Sequence, residues 1–391
     1  RAVMLQRLFI FLLIFLILPD IYLYLRFIVH LTARRWLKIL YWLPTFLLST
    51  GLLYLVYFSN NAFAERHTQD IGWFSIFFFL FTAPKLLLFL CTVIGIPFHK
   101  WLRWPRTPFI CTGLTLAVVS IVMIIYGSFI GRTQFDVKEV TYSSSKLPSS
   151  FDGYRIVQLS DIHIGSWQGN ASAIQNLVNL VNEQHPDLIV FTGDLVNHRA
   201  IELNDFQHIL AGLKAKDGVY SILGNHDYGP YFRWKNKQEQ DDNLSDLQQR
   251  QAAMGWKLLN NSHTILIQGN DSIALIGVEN EGEPPFSQYA DLPKAMQGTE
   301  GMFQILLSHN PTHWRREVLP ESDIDLMLAG HTHAMQLKLG NYSPSSYIYP
   351  EWSGMYLEGT RGLYVNVGIG YVGLPFRFGA WPEITVLTLR R

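Results

Sequence analysis

The sequence predicts two domains of unlike class: a four-helix transmembrane domain, then an α/β domain built as a sheet sandwich flanked by helices. Three observations carry this reading. Residues 1 to about 130 are dominated by Leu, Ile, Phe, Trp and Tyr and hold four apolar stretches of bilayer length. From about residue 135 onward polarity is mixed, and short apolar strand patterns alternate with amphipathic helical ones. Strand patterns then predominate toward the C-terminus. The expected boundary assigns residues 1–132 to the membrane domain and 133–391 to the second domain.

The first apolar stretch runs from about Leu8 to Val29, with an interruption expected at Pro19-Asp20. The others are Leu37 to Phe58, Trp73 to Phe98 and Pro108 to Phe129. The first is too long for a signal peptide and lacks a small-residue cleavage site. Runs such as Phe77-Phe78-Phe79-Leu80-Phe81 argue against a soluble bundle. Arg34, Arg35 and Lys38 link the first two segments, and Lys100, Arg103 and Arg106 link the last two. These basic links belong on the cytoplasmic side, with Arg7 as the exception. Four crossings then put the second domain outside the cytoplasm, on the periplasmic face of a multi-pass inner-membrane protein. Trp36, Trp42, Trp101 and Trp104 stand at segment ends, as interfacial anchors do. Asp20 and Lys85 fall near mid-depth, where charges pair or serve function. An ion pair between them is expected, the alternative being that each snorkels separately. Arg1 in place of Met suggests a start after processing or truncation.

In the second domain strands are expected at 154–159, 188–191, 219–223, 264–267, 273–278, 304–307, 326–328, 363–367 and 384–389. Helices are expected at Ala173 to Val181, Phe206 to Leu213 and Leu244 to Met254, with Gln238 to Asn243 a polar loop or helix start. The net charge of zero gives no field favouring nucleic acid. Both cysteines, Cys91 and Cys111, lie in apolar stretches, so a disulfide framework and thiolate zinc sites are excluded from the C-terminal half.

Five fragments of that half carry chemistry: Asp161-Ile162-His163, Gly193-Asp194, Gly224-Asn225-His226-Asp227, Ser308-His309 and Gly330-His331-Thr332-His333. Alone, an Asp-x-His or His-x-His pair says little. Together, mostly at the ends of apolar strands, the fragments supply carboxylates, imidazoles and one amide around a shared pair of ions. In this order they resemble the calcineurin-like metallophosphoesterase superfamily, and the N-terminal half is similar to its membrane-anchored branch. The Asn366-Val367-Gly368 and Leu374-Pro375 region also looks like that branch.

The resemblance implies a four-layer α-β-β-α sandwich and a metal-dependent phosphoesterase. It implies that Asp161, His163 and His333 hold one divalent ion, that Asp194 bridges to a second, and that Asn225, His309 and His331 complete it. Mixed oxygen and imidazole ligation points to manganese, with iron or zinc as alternatives. By the same resemblance His226 stands beside the phosphate as a catalytic group, the alternative being a structural histidine that only supports the ligands, and Asp227 is expected to orient it. The remaining histidines, His198 and His313 among them, are expected to be surface or structural.

Aromatic-basic clusters at Tyr228–Lys235, Tyr347–Trp352 and Gly370–Trp381 suit either ordinary loop packing or a membrane interface. Arg233 and Arg377 are the candidate substrate contacts, for a phosphate or headgroup. The expected partners are the bilayer and a lipid-linked or amphiphilic phosphate. The alternatives are a pyrophosphatase of the UDP-diacylglucosamine type on the cytoplasmic side, and a non-catalytic scaffold or sensor with a vestigial site.

Overall fold

The computed structural model describes residues 2–58, 68–284 and 286–391. It divides into two compact units, Arg1–Phe129 with Gly373–Phe376, and Ile130–Val372 with Arg377–Arg391.

The first unit is helical. Helix α1 (Ala2–Leu23) continues through a π-helical stretch, Tyr24–Ile28, into Val29–Leu31. The interruption expected at Pro19-Asp20 does not occur. Proline removes one backbone donor, and neighbouring helices and hydroxyl side chains can accommodate that in a membrane helix. Helices α2 (Arg35–Phe58), α3 (Thr68–Leu102) and α4 (Thr107–Phe129) follow, and α2 and α3 also contain prolines. All four are long and apolar enough to cross a membrane. Leu16, Leu48, Leu52 and Phe78 form a small core shared by α1, α2 and α3, while Phe11, Ile39, Phe46 and Val118 point outward. The expected ion pair is present: Lys85 Nζ lies 2.7 Å from Asp20 Oδ1. Asp20 is fully buried and also accepts from the Thr45 and Tyr41 hydroxyls. The carboxylate thus fastens α1 to both α2 and α3.

The second unit holds two six-stranded sheets. The first comprises β1 (Asp136–Ser143), β2 (Arg155–Leu159), β3 (Leu188–Phe191), β4 (Val219–Ser221), β5 (Trp256–Leu258) and β12 (Glu383–Arg390), in the order β1-β12-β2-β3-β4-β5. The second comprises β6 (Ser262–Gln268), β7 (Asp271–Gly277), β8 (Phe303–Leu307), β9 (Leu326–Ala329), β10 (Gly354–Glu358) and β11 (Arg361–Val365), in the order β10-β11-β9-β8-β7-β6.

Alternation along each strand builds the layers. Ile156, Leu188 and Val190 face Leu275, Ile305 and Leu328 between the sheets. Val157, Ile189 and Phe191 point the other way, onto Leu177 and Val181 of α5 (Ala171–Glu183). Ile276, Leu306 and Met327 pack under Trp314 and Val318, on the outer face of the second sheet. This is an α-β-β-α sandwich. Strands β1, β5 and β10 had no clear sequence signal: β1 is half-exposed and mostly polar, and β5 is three residues long. Helix α6 (Lys237–Ala253) absorbs the polar 238–243 stretch, while the second expected helix shrinks to one turn, Gln207–Leu210.

Removing one partner of a buried ion pair strands the other charge. Lys85→Met is therefore expected to destabilise the helical unit by roughly 3–5 kcal/mol, and Asp20→Asn/Lys85→Met to recover most of it. Thermal unfolding of the detergent-purified protein checks this; a harmless Lys85→Met would remove the pair from the account.

Candidate metal centre

Strands β2, β3 and β4 of one sheet and β8 and β9 of the other end beside one another. The five fragments follow their C-terminal ends, where α/β sheets open a crevice to ligands. Ladder pairing satisfies the strands' own backbone but leaves the buried turns after them to find partners. Here those turns adopt an uncommon conformation. Asp161, His163, Asp194, His331 and His333 all have positive φ, between 46° and 73°. Such strain in non-glycine residues persists only where the surroundings impose it, and it concentrates at functional sites.

The structure brings six of the seven sequence-derived ligand candidates into adjoining groups. Asp161, His163 and His333 converge, as do Asp194, His309 and His331, with ligand atoms in each group lying within 4.8 Å of one another. Asp194 Oδ2 is 3.2 Å from His309 Nε2 and 3.6 Å from His163 Nε2, so one carboxylate faces both groups. His333 Nε2 is 3.3 Å from Asp161 Oδ1. Asn225 fits a metal by a different sign. Its Nδ2 donates to the Tyr231 hydroxyl at 2.9 Å, while its Oδ1 is buried with no hydrogen-bond partner among the described residues. A buried acceptor left without a donor is costly unless a cation or water takes it. The donor set therefore fits divalent metal: Asp161, His163 and His333 form one group and Asp194, His309 and His331 another, with Asp194 also in reach of His163 and Asn225 holding a free amide oxygen.

Hydrogen bonds fix which imidazole nitrogen is presented. His309 Nδ1 donates to the Thr192 carbonyl at 2.7 Å, leaving Nε2 toward Asp194. His331 presents Nδ1, because its Nε2 is 3.0 Å from the Tyr349 hydroxyl. Electrostatics follow. Burial pushes His309 down, but the Asp194 charge and hydrogen bond, the Asp161 charge and the Thr192 carbonyl together outweigh it and raise the imidazole to about 9. Burial pushes Asp194 up, and the charges of His309 and His226 more than reverse this, holding it well below the usual carboxylate range. Burial lowers His331 to about 3, leaving it neutral. A cation entering between Asp194 and His309 would displace a proton.

His226 stands beside this cluster. Its backbone N–H donates to Asp194 Oδ1 at 2.8 Å, its Nδ1 donates to the Asn197 carbonyl at 2.8 Å, and its ring meets His163 edge-on at 4.7 Å. This leaves Nε2 as the basic nitrogen. Its ring nitrogen also lies within reach of His163 and Asp194 as a third possible ligand group.

Two expectations are corrected. Asp227 does not orient His226. Its buried carboxylate accepts the backbone N–H groups of Asp194, Gly224, Leu195 and Val196 at 2.9 to 3.2 Å. Those groups lie on turns with no ladder partner, and the carboxylate is their acceptor. Arg377 does not reach out to a headgroup either. It is fully buried, and its guanidinium donates to the carbonyls of Gly370, Ala380 and Val367 and to His333 Nδ1 at 3.0 Å. Burial lowers it to about 10, so it keeps its charge at neutral pH. It locks the ring of His333 from behind. Arg233 is exposed and makes no hydrogen bond or ion pair among the described residues.

Sequence reasoning missed Tyr231 and Tyr349 as site residues, grouping both with possible membrane-facing aromatics. Tyr231 touches Asn225 and lies 4.4 Å from the His226 ring; Tyr349 touches His331. It also missed the Asn197 carbonyl, since a backbone acceptor leaves no side-chain signature. His313, expected to be surface or structural, is buried between Ser308 and Glu317 at 2.9 and 2.7 Å.

The calcineurin-like phosphoesterase family matches residues 154–335, and the probable calcineurin-like phosphoesterase transmembrane domain matches residues 6–132. A "transmembrane protein with metallophosphoesterase domain" of Danio rerio is 32% identical over 284 residues, 70% of this chain and 62% of the relative. That match spans less than two thirds of the relative's length. The "uncharacterized metallophosphoesterase YkuE" of Bacillus subtilis is 31% identical over 281 residues, 68% of this chain and 89% of the relative. Among solved structures, the phosphopantetheinyl hydrolase of Mycobacterium tuberculosis aligns over 56% of this chain and 91% of its own, at 12% identity and a TM-score of 0.33.

Two expected outcomes separate the residues' roles. Asp227→Asn, which leaves backbone donors facing an amide, should cost roughly 2–4 kcal/mol in thermal unfolding, whereas His226→Asn should leave stability within about 0.5 kcal/mol. Arg377→Met should weaken metal binding about 10- to 100-fold by calorimetric titration, as loss of a group orienting a ligand does. Unchanged affinity would reduce Arg377 to a loop staple.

Proposed function

Because this chain belongs to the calcineurin-like phosphoesterases with a four-helix transmembrane domain, we propose that it is a membrane-bound, dinuclear-metal phosphohydrolase. Its substrate is a lipid-linked or amphiphilic phosphoester or pyrophosphate, and its catalytic unit works outside the cytoplasm.

The observation that carries the reading is Asp194, one carboxylate facing His309 on one side and His163 on the other. A shared carboxylate lowers the repulsion between two cations and fixes their spacing. When bound, the ions supply a water made acidic enough to attack at neutral pH and a clamp on the phosphoryl oxygens. The chain's own groups do the rest. Asn225 offers its free amide oxygen. His226, held by the Asn197 carbonyl, presents Nε2, which once protonated can pass that proton to the leaving oxygen or stabilise charge on the phosphoryl group. Asp227 pins the turn that carries Asp194, and Arg377 fixes His333. Tyr231 and Tyr349 form the aromatic margin of the cluster, and Arg233 is an exposed cation two residues from Tyr231.

Two features support an amphiphilic substrate. The chain carries four candidate membrane spans, which would hold the site near lipid. Aromatic and basic residues cluster after the Gly-Asn-His-Asp turn, a mix suited to an interface of rings and anionic headgroups. The external placement rests on the two basic links between helices.

The detergent-purified protein with added manganese should hydrolyse a phospholipid or lipid pyrophosphate in preference to soluble nucleotides. Asp194→Asn and His331→Ala should each lower the rate at least about 100-fold, and His226→Asn should lower kcat while metal content stays unchanged. Turnover of soluble nucleotides alone would refute the lipid assignment; no effect of Asp194→Asn on any hydrolysis would refute the enzyme. An exported-phosphatase reporter fused after Arg391 should be active, and an inactive one would place the domain in the cytoplasm.

A further inference from the structure

A second site lies within the helical unit, independent of the metal centre. A cavity of about 200 Å³ opens between α1, α3 and α4, lined by Tyr22, Arg26, Phe27, Thr92, Arg106 and Phe109 among others. Its walls are largely apolar and aromatic, yet two arginines are among the residues that line it.

Among the described residues neither arginine has a carboxylate partner. The sequence contains no Asp or Glu between residues 21 and 64 or between 71 and 135. The one nearby acid, Asp20, is taken by Lys85, Thr45 and Tyr41. Arg26 also lies inside the apolar span Phe11–Leu31, five residues from its end, or roughly 7.5 Å at helical rise. A charge at that depth normally pairs or serves a purpose. The local helix is unusual too, since Arg26 lies in the π-helical stretch Tyr24–Ile28, a distortion that recurs at functional sites. Arg106 directly precedes α4, whose first free N–H groups carry partial positive charge. Two like charges sharing one cavity repel, and an anion between them reverses the sign of that interaction.

Size narrows the ligand. Pockets for drug-sized molecules occupy ~300–1,000 Å³. A cavity of about 200 Å³ suits a phosphate with a glycerol-sized substituent, leaving any acyl chain along the lipid-facing helices. Forked guanidinium groups match phosphate oxygens bidentately, and basic pockets between membrane helices bind anionic headgroups. We propose that Arg26 and Arg106 form a binding site for the phosphate of an anionic phospholipid, drawn from the leaflet at the basic end of the bundle. The bound lipid would place one negative charge between the two arginines, offset their mutual repulsion and tie α1 to the start of α4.

Native mass spectrometry of the full chain tests this, with phosphatidylglycerol, phosphatidylcholine and sn-glycerol 3-phosphate as probes. Phosphatidylglycerol should bind at one saturable site, and Arg26→Gln/Arg106→Gln should weaken it about 30-fold. Arg34→Gln/Arg35→Gln, which removes equal charge from the same end without touching the cavity, should change it less than about threefold. Ile96→Trp fills the cavity from α3 with both arginines intact, and it should also displace the lipid. This second variant decides the matter if the double Arg variant fails to fold. The proposal is overturned if both Arg pairs weaken binding equally, if Ile96→Trp leaves it intact, or if phosphatidylcholine binds as tightly. Glycerol phosphate binding as tightly as the lipid would show a soluble-phosphate site instead. Because the readout is lipid binding, it stands or falls separately from hydrolysis at the metal centre.

Discussion

The second unit depends on one buried carboxylate that belongs to none of the possible metal-ligand groups. Asp227 accepts four backbone N–H groups at the ends of two adjacent strands, and so holds the turn carrying Asp194 in a left-handed conformation. Without that acceptor the turn would bury unpaired donors. With it, the Asp194 carboxylate faces two histidine groups at once. Burial raises Asp227 itself to about 7, so the hold is made at the expense of an easily charged acid. The four N–H groups are what favour its ionised form.

Around this core the same device recurs: backbone and buried charge, rather than flexible side chains, aim the ligands. The Thr192 carbonyl fixes His309, the Asn197 carbonyl fixes His226, and the Arg377 guanidinium fixes His333. Glu202 in turn accepts the N–H groups of Asn197, His198 and Arg199, steadying the loop that holds His226. A centre assembled this way is preorganised before a cation enters, which is what electrostatic catalysis requires. The helical unit obeys the same economy, with Asp20 satisfied by Lys85, Thr45 and Tyr41 from two neighbouring helices.

Much of this was legible in the sequence, for identifiable reasons. The four spans stand out because their apolar runs match bilayer thickness, and the Asp20–Lys85 pair because mid-depth charges need partners. The core strands announce themselves through buried runs such as Leu188-Ile189-Val190-Phe191. The ligand candidates share short motifs at strand ends. What stayed hidden has physical causes as well. Strand β1 gains its partner only from β12, nearly 250 residues away, and carries little apolar signal of its own. Arg377 read as a surface cation because nothing local reveals that Gly370, Val367 and Ala380 would converge on it. Asp227 read as a partner of its neighbour His226, whereas three of its four true partners lie more than thirty residues earlier. Tyr231 and Tyr349 looked like interface aromatics until folding turned them onto Asn225 and His331.

The central claim is that Asp194 joins two metal sites into one centre, and metal stoichiometry tests it most directly. Elemental analysis of the purified chain after manganese loading and desalting should find two ions per protein in the wild type. Asp194→Asn should lose at least one of them while the catalytic unit stays folded. A wild type that binds a single ion and hydrolyses phosphoesters at full rate would contradict the account.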